Sequence, residues 1–330
     1  METNRQMPLV KPQALRVGDA IGVVAPASNI KRELLDKGCD TLRGLGYKPF
    51  YLESILDQDL YFAGSVERRA RELETMFTRE DVRAIVCARG GYGANYLLNV
   101  LDPQKIVSNP KIFVGYSDIT TLMTCFTDSA GMVTFHGPMV TKDFAREDGV
   151  DLASWEAALT GLSQWELDLG TGSGVKGLVE GEAEGILYGG CLSMLAASLG
   201  TPHEIRTAAT ILFIEDVATK PYQVDRMLMQ LKLAGKLSGV RGLIFGEMLD
   251  CFQTADQGYT LEEVILRIIG NLGVPVAFGL RSGHVSRGNV TLPMGVRAAL
   301  KVSGKDVSLR FLEAATVASG TRVGAPASLR

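Results

Sequence analysis

One serine in this sequence stands where a nucleophile could be held. Ser117 lies in KIFVGYSDITTL, residues 111–122, between a short apolar segment and a predicted helix. A serine before an amphipathic helix ordinarily caps it by accepting hydrogen bonds from the first free backbone N–H groups, so capping is the default interpretation. A nucleophile instead needs a sharp strand-to-helix turn and a free N–H on the next residue. GYSDI offers strand, turn and helix, although Ile119 stands where a G-x-S-x-G elbow has its second glycine.

A serine hydroxyl also needs a general base, and the chain has three histidines. His136 ends a predicted strand in FHGPM, where a structural histidine hydrogen bonded to backbone is the simpler interpretation. His203 lies in the polar connection GTPHEIRT, and we expect it to be solvated. His284 lies in RSGHVSRGN, a loop that follows the predicted strand PVAFGL. Loops at strand ends commonly carry catalytic side chains, so His284 has the most suitable setting.

A base must in turn be oriented by an acceptor, and two carboxylates end the apolar segment ILFIEDV. Glu215 and Asp216 would be costly at the end of a buried strand unless paired. They therefore lie either in a surface turn or in a functional site, and these residues alone leave both open.

Other chemistries have little sequence support. Cys191 follows two glycines, but cysteines at helix starts are more often small buried residues, and no histidine is near it in the sequence. RGGYGANYL does not fit G-x-G-x-x-G because Tyr96 stands at the last glycine, and no phosphate-binding P-loop motif occurs. No HxxH, HEXXH, HxxE or CxxC spacing is present. We therefore expect no metal and no cofactor.

The first half must position these residues on a parallel sheet. Short β-branched runs alternate with helical patterns, which is typical of a parallel sheet covered on both faces. The expected strands are AIGVVA (20–25), YKPFYL (47–52), AIVCA (84–88), IFVGY (112–116) and MVTFH (132–136), and the helices lie near 31–45, 65–78 and 93–101 and after Ser117. Ligands of such sheets bind beyond the carboxyl ends of the strands. The loops expected there are APAS (25–28), RGGYG (89–93) and GYSD (115–118).

The amino-acid composition changes around residues 161–185, where LDLGTGSGVKGLVEGEAEG is rich in glycine. We predict an N-terminal α/β domain over 1–160, a linker over 161–180 and a C-terminal domain over 181–330. The C-terminal part mixes strands and helices: strands at 209–217, 241–248, 275–280, 298–302 and 307–312, and helices at 223–237 and 260–272. The serine would then belong to the first domain and the Glu215 and His284 segments to the second.

Composition and charge indicate the class of protein, its partners and its compartment. The 330 residues are 46% hydrophobic and 22% charged, which suits a soluble globular protein. The net charge is −3 and no basic run occurs, so we expect no nucleic-acid partner. METNRQMPLVKPQALRVGD lacks the apolar core of a secretory signal, and no segment has about 18 uninterrupted apolar residues. With five scattered cysteines, this predicts a cytoplasmic chain without a membrane partner.

Several motifs in one order resemble a known family. GYSD with RGGYG upstream, FIED in the middle and GHVSRGN near the end look like the LD-carboxypeptidases, serine peptidases of the muramoyltetrapeptide carboxypeptidase type, also called S66 peptidases. KPQALRVGDAIGVVAPAS, FHGPM, YGGCLSML and PYQVDRML extend the resemblance from about residue 12 to residue 315. It implies a Rossmann- or flavodoxin-like N-terminal domain and a mixed α/β, swivelling β-barrel-like C-terminal domain.

The resemblance also implies roles for individual residues. Ser117 would be the nucleophile, His284 the general base and acid, and Glu215 the residue that orients the imidazole. The N–H groups of Asp118 and Gly91 would form the oxyanion hole, with Gly90 as the alternative to Gly91. The site would then be assembled across the domain interface.

The implied reaction removes the terminal D-alanine of murein tetrapeptides, cleaving an L,D bond through an acyl-enzyme during peptidoglycan recycling. The implied assembly is a homodimer. The substrate carboxylate needs a cation, and the sequence does not select among Arg89, Arg281 and Arg287. One alternative is the branch of the family that hydrolyses acylated nucleotide peptides in antibiotic self-immunity, although the compact stretch between FHGPM and ILFIED favours the carboxypeptidases. Another is an ordinary α/β-hydrolase, which predicts G-x-S-x-G and a single continuous sheet.

Overall fold

A computed structural model describes residues 9–167, 169, 173–252 and 258–318. Its first half alternates strands and helices as expected from the sequence. The elements are β1 (Ala20–Val24), α1 (Arg32–Gly44), β2 (Lys48–Phe50), α2 (Val66–Thr78), β3 (Val82–Cys87), α3 (Pro103–Val107), β4 (Ile112–Gly115), α4 (Thr120–Asp128), β5 (Thr134–His136) and α5 (Leu152–Leu159), with 3-10 helices at Glu53–Leu56, Ala94–Asn99 and Ser117–Ile119.

The first sheet is parallel over its first five strands, which run in the order β2-β1-β3-β4-β5. This is the flavodoxin-like order, in which ligands bind beside the switch point between the first and third strands. β1, β3 and β4 are almost wholly buried, as expected for strands covered on both faces. The loops after β1, β3 and β4 lie at the carboxyl edge, which is where the sequence predicts the site.

The second half forms a mixed eight-stranded sheet. The elements of this half of the chain are β6 (Trp165–Glu166), β7 (Lys176–Val179), β8 (Gly181–Cys191), α6 (Leu192–Ala197), β9 (Thr210–Glu215), α7 (Pro221–Leu233), β10 (Gly242–Gly246), α8 (Leu261–Ile269), β11 (Val276–Leu280), β12 (Leu292–Met294), β13 (Arg297–Ser303) and β14 (Asp306–Phe311). The strand order is β6-β14-β13-β8-β9-β10-β11-β7. β8 to β11 are parallel and the remaining pairs are antiparallel.

The second sheet curls, because β7 at one edge also contacts β13 and β14. A side chain at Gly177 in β7 would overlap Val302 in β13, so glycine permits this approach. β6 and β7 lie within the segment that the sequence suggests as a linker. The predicted α/β class, with a parallel first sheet and a mixed second one, is confirmed, and two separate sheets argue against an ordinary α/β-hydrolase.

One strand ties the two halves together. β12 comes late in the chain, yet it pairs antiparallel with β5 at the edge of the first sheet, with Leu292 opposite His136. The sequence alone does not predict β12, because LPM is too short to show a strand periodicity. Its pairing brings the loop before it, which carries His284, to the carboxyl edge of the first sheet.

Helix ends follow the capping rules where side chains permit. Ser65 caps α2 by accepting from the N–H of Arg68, and Thr260 and Glu263 form a capping box on α8. α7 buries Val224, Leu228 and Leu231 along one face. It ends at Leu233, four residues earlier than predicted.

Candidate active site

Ser117 lies at the turn between β4 and α4 in a strained backbone conformation. Its φ is +64°, in the left-handed region that non-glycine residues seldom adopt. A Cβ on Gly115 would lie 2.7 Å from Ile119 Cγ2, so glycine two residues earlier lets the turn close tightly. Such strain is typical of a nucleophile elbow. A glycine at the position of Ile119 is not needed here.

The capping interpretation of Ser117 is wrong. The residue before the 3-10 helix is Tyr116, and the one before α4 is Ile119. Neither helix start has a side-chain cap, and the Ser117 side chain is half-buried. The left-handed φ turns Ser117 away from the geometry in which a serine accepts N–H groups of the following turn. Its hydroxyl is therefore not committed to the helix.

The glycine turn after β3 lies directly against Ser117. A Cβ on Gly90 would lie 3.0 Å from Ser117 Oγ and 3.2 Å from the backbone nitrogen of Asp118. The Gly90 carbonyl accepts from the N–H of Ser28 at 3.3 Å. Because the C=O and N–H of a trans peptide point in opposite directions, the N–H of Gly91 points away from Ser28. Gly91 has a φ of +107°, and a side chain there would overlap Ser28 Oγ.

Two buried charged side chains hold this turn in place, and neither function is predicted from the sequence. Asp118 Oδ2 accepts from the N–H of Ala94 at 2.8 Å. Arg69, fully buried on α2, donates to the carbonyl oxygens of Pro26 and Gly93, each at 2.7 Å. Burial raises the pKa of Asp118 to about 6, against the lowering effects of the Ala94 N–H and of Arg69. An arginine on the apolar face of the amphipathic α2 is the sequence signal that could have revealed the role of Arg69.

Glu215, at the end of β9, binds His284 through one oxygen. Oε2 accepts from the backbone N–H of His284 at 3.0 Å and lies 2.8 Å from its Nδ1. Glu215 is fully buried and His284 is 7% exposed. Burial alone would raise the pKa of the Glu215 carboxyl, but the positive charge of His284, together with hydrogen bonding and the nearby His136, holds it well below its usual range. The geometry fixes the imidazole with Nδ1 toward the acid.

The two halves of the molecule meet at this point. The Tyr116 ring, one residue before Ser117, stands edge-on to the His284 imidazole with centroids 5.1 Å apart. The N–H of Cys191, at the end of β8, donates to Thr120 Oγ1 at the start of α4, at 3.1 Å. His284 and Glu215 therefore lie beside the segment that carries Ser117, although 98 and 69 residues separate the three along the chain.

The other two histidines have different surroundings. His136 is fully buried; its Nδ1 lies 2.8 Å from Ser282 Oγ and its Nε2 3.8 Å from Glu215 Oε1. It is therefore paired with a side chain, and the predicted backbone partner is wrong. His203 is half-buried with Nδ1 3.7 Å from Cys125 Sγ, so it is not fully solvated.

The three arginines proposed for the substrate carboxylate separate into two places. Arg89 is exposed beside the glycine turn and donates to the carbonyl of Asn29 at 3.2 Å. Arg281 and Arg287 line a cavity of about 680 Å³ together with Trp165. Of these three, Arg89 is the one next to the Gly90–Gly91 turn.

The described part of the chain shows no cluster of three or more His, Cys, Asp or Glu side chains able to hold a metal ion. Cys191 is buried, and burial raises the pKa of its thiol well above the usual range, which makes it a poor nucleophile. None of the helices in the described ranges is both long enough and apolar enough to cross a membrane.

Comparison with known proteins identifies the family. Residues 21–137 match the model of the LD-carboxypeptidase N-terminal domain, and residues 184–300 match that of the C-terminal domain. The chain therefore belongs to the S66 family of LD-carboxypeptidases and is a hydrolase of the serine peptidase class. A probable murein peptide carboxypeptidase of Bacillus subtilis (strain 168) is 38% identical over 301 residues, covering 89% of this chain and 92% of the relative.

Solved structures share the whole architecture. The muramoyltetrapeptide carboxypeptidase from Oxalobacter formigenes is 31% identical with a TM-score of 0.80, covering 89% of this chain and 99% of that one. The microcin C7 self-immunity protein MccF in complex with glutamyl sulfamoyl guanosine is 26% identical with a TM-score of 0.87, covering 94% of this chain and 100% of that one. The chain is thus similar both to a muramoyltetrapeptide carboxypeptidase and to a self-immunity protein solved with a sulfamoyl nucleoside.

Proposed function

We propose that this protein is a serine LD-carboxypeptidase that removes the terminal D-alanine of murein tetrapeptides by a Ser-Glu-His triad. The observation that carries the proposal is the pair of contacts from one Glu215 oxygen to His284 N and Nδ1, beside the strained turn of Ser117. An imidazole held in this way leaves Nε2 free to accept a proton.

In the proposed reaction, Ser117 Oγ attacks the carbonyl carbon of the scissile amide while His284 Nε2 accepts its proton. The N–H groups of Gly91 and Asp118 stabilise the oxyanion, and His284 then protonates the leaving amine of D-alanine. Water attacks the resulting ester with His284 again as base, which releases the shortened peptide and restores Ser117. Neither a metal nor a cofactor takes part in this scheme.

The choice of Gly91 is supported by the direction of its peptide group. The Gly90 carbonyl is turned to Ser28, so the Gly91 N–H is directed to the opposite side. Asp118 contributes its backbone N–H, while its carboxylate accepts from Ala94 and keeps the two segments together. The hole is thus built from two neighbouring loops of the first sheet.

The murein substrate is supported by the names of the relatives from Bacillus subtilis and Oxalobacter formigenes. It is tested by incubating the protein with a murein tetrapeptide and with an all-L peptide of matched sequence while release of the terminal alanine, D or L, is followed. We expect release from the first substrate alone and a loss of about 10⁴-fold or more in Ser117→Ala. Equal hydrolysis of both peptides would argue against the LD specificity, and full activity of Ser117→Ala would exclude the mechanism.

A second substrate class follows from the structural similarity to MccF. An aminoacyl sulfamoyl nucleoside, offered to the same preparation, tests this alternative. We expect a higher kcat/KM for the tetrapeptide, because the stretch between FHGPM and ILFIED is compact. The reverse ranking would assign the protein to the self-immunity branch.

We further propose a homodimer acting in the cytoplasm on peptides recovered from peptidoglycan. Light scattering coupled to size-exclusion chromatography at micromolar concentration checks the assembly, with a monomeric mass as the contrary result. Fractionation of cells that express the native chain checks the location.

A further inference from the structure

The Glu215 carboxylate lies between two imidazole rings. Its Oε2 is bound to His284, whereas its Oε1 faces His136 Nε2 at 3.8 Å. Within the described ranges, neither Glu215 Oε1 nor His136 Nε2 has a hydrogen-bond partner, and both residues are 0% exposed. Two buried polar atoms without partners that face each other need a proton between them, because each is otherwise left unsatisfied.

The opposite side of the His136 ring shows where its first proton lies. Ser282 Oγ is 2.8 Å from His136 Nδ1 and 2.8 Å from the carbonyl oxygen of Val290. A carbonyl can only accept, so the single hydroxyl proton of Ser282 goes to Val290. Ser282 Oγ must then accept from His136, and Nδ1 carries a proton.

The protonation of His136 Nε2 determines what faces Glu215 Oε1. With one proton on the ring, the Nε2 lone pair would face a carboxylate oxygen in a site closed to water, and neither atom would be satisfied. With a second proton, Nε2–H points at Oε1 and the ring carries a charge opposite to that of Glu215.

We propose that His136 is a doubly protonated imidazolium that pairs with Glu215 Oε1 and acts as a positioning residue for the triad. The proposal rests on the proposed function, in which Glu215 orients His284. His136 would touch neither the substrate nor the reacting atoms and would act through the carboxylate alone.

The chemistry explains why a second histidine is useful there. A buried carboxylate without a positive partner is costly, and His284 cannot be a permanent partner because it must be neutral to accept the proton of Ser117. His136 supplies the positive charge and leaves His284 free to cycle between neutral and charged forms. The acid then stays ionised in both states of the base.

The surroundings hold His136 in this place. A Cβ on Gly283 would lie 2.8 Å from His136 Cε1 and 2.6 Å from Glu215 Cδ, so the loop backbone covers both groups. Phe213 of β9 stands edge-on to the ring with centroids 5.1 Å apart. Two titratable groups face the His136 ring: Glu215, and Tyr116, whose ring centroid lies 5.9 Å from that of His136. Beyond them, His284 binds the other Glu215 oxygen and Asp143 Oδ1 lies 3.5 Å from the Tyr116 hydroxyl.

The first test is spectroscopic and uses the wild-type protein without substrate. Long-range ¹H–¹⁵N correlation of the imidazoles, with His136 assigned by its loss in His136→Gln, reports the proton on each ring nitrogen. We expect both nitrogens of His136 to be protonated at about pH 7.5, and the Nε2 proton to be lost in Glu215→Gln. A single-proton ring in the wild type at that pH would overturn the proposal.

The second test compares two substitutions that differ at the ε position. His136→Asn can keep a donor to Ser282 and removes the Nε2 group, whereas His136→Gln can direct an N–H toward Glu215. We expect kcat to fall by about 10²-fold in His136→Asn and by about tenfold in His136→Gln, with KM changed less than about threefold. Equal losses in both variants, or unchanged kcat in His136→Asn, would contradict the proposal. Circular dichroism checks that both variants fold. If neither does, the ¹H–¹⁵N spectrum of the wild-type protein alone tests the proposal.

The two proposals fail in different ways. If Ser117→Ala keeps full activity while wild-type His136 is doubly protonated, the triad mechanism is wrong and the ion pair stands. If Ser117→Ala is inactive while His136 carries one proton, the mechanism stands and His136 has only a packing function.

Discussion

Gly90 and Ser117 are in contact across the carboxyl edge of the first sheet: a Cβ on Gly90 would lie 2.8 Å from Ser117 Cβ and 3.0 Å from its Oγ. The backbone of Gly90 is not in the left-handed region, so the contact is the principal obstacle to a side chain there. Gly91 differs, because it combines a φ of +107° with a Cβ position occupied by Ser28 Oγ. The two neighbouring glycines are therefore required for different reasons.

Gly90→Ala and Gly91→Ala are expected to separate activity from stability. In Gly90→Ala the added methyl group crowds Ser117 Oγ and the Asp118 N–H, so kcat/KM should fall by about 10²-fold or more with a modest loss of stability. Gly91→Ala should lower the free energy of unfolding by a further ~1–3 kcal/mol, because its backbone is strained in addition to the overlap. D-alanine release and thermal unfolding measure the two effects. A fully active Gly90→Ala would show that the turn does not border the reacting atoms.

The left-handed backbone of Ser117 predicts an unusual ranking of its variants. Ser117→Ala and Ser117→Gly should both be inactive, since neither has a hydroxyl. Ser117→Gly should nevertheless be the more stable of the two by about 1 kcal/mol, because glycine adopts positive φ without the Cβ penalty. Denaturant unfolding of both proteins under the same conditions measures the difference.

The control for this ranking is an alanine-to-glycine exchange where the backbone is unstrained. Ala234 is exposed at the end of α7 and has a φ of −77°, so Ala234→Gly should lower the free energy of unfolding instead of raising it. A Ser117→Gly protein that is less stable than Ser117→Ala by the same amount would mean that Ser117 is not strained.

The sequence is enough to predict the first sheet, because its strands are plain apolar runs, whereas Ser117, Glu215 and His284 are singled out as a triad only by the resemblance to the family. It is not enough to predict that β12 pairs with β5, since three residues show no periodicity and the pairing joins Leu292 to the distant His136. The φ of Ser117 is also hidden, because a serine before a helix predicts a cap. Arg69 carries no prediction from the sequence, and His136 looks like a structural ring, until the fold places them against Gly93 and Glu215.

Arg89 is expected to bind the terminal carboxylate of the substrate. Arg89→Ala should raise KM for the tetrapeptide about tenfold or more with a smaller change in kcat, because a charge-assisted hydrogen bond contributes roughly 1.5–3 kcal/mol. Arg287→Ala is the matched control, since Arg287 lines the separate cavity. On a peptide with a C-terminal amide, steady-state kinetics should show a smaller difference in KM between Arg89→Ala and the wild type than on the free carboxylate. A selective KM increase in Arg287→Ala would move the carboxylate site to that cavity.

Four carboxyl groups are held largely away from water. We therefore expect the free energy of unfolding to rise as the pH falls from about 8 toward about 5. Burial raises the pKa of Glu72 to about 7 and those of Asp118, Asp128 and Asp143 to about 6. An acid whose pKa is higher in the folded state than in the unfolded chain is protonated more readily when folded, so folding is favoured as the pH drops through the folded pKa values. Glu215 acts in the opposite sense, because its lowered pKa gives stability that is present above the unfolded pKa of about 4.5 and is lost below it.

The expected result is therefore a Tm that increases from about pH 8 to about pH 5 and declines at lower pH. Differential scanning calorimetry in buffers of equal ionic strength measures it. Glu72→Gln should flatten the upper part of this profile, between about pH 8 and about pH 6, because Glu72 has the highest of the four pKa values. Its Oε2 accepts a hydrogen bond from the N–H of Ala25. Exposed Glu53 gives the matched control Glu53→Gln, which should leave the profile unchanged. A Tm that falls steadily from about pH 8 to about pH 5 would mean that these carboxyl groups are better solvated than their burial indicates.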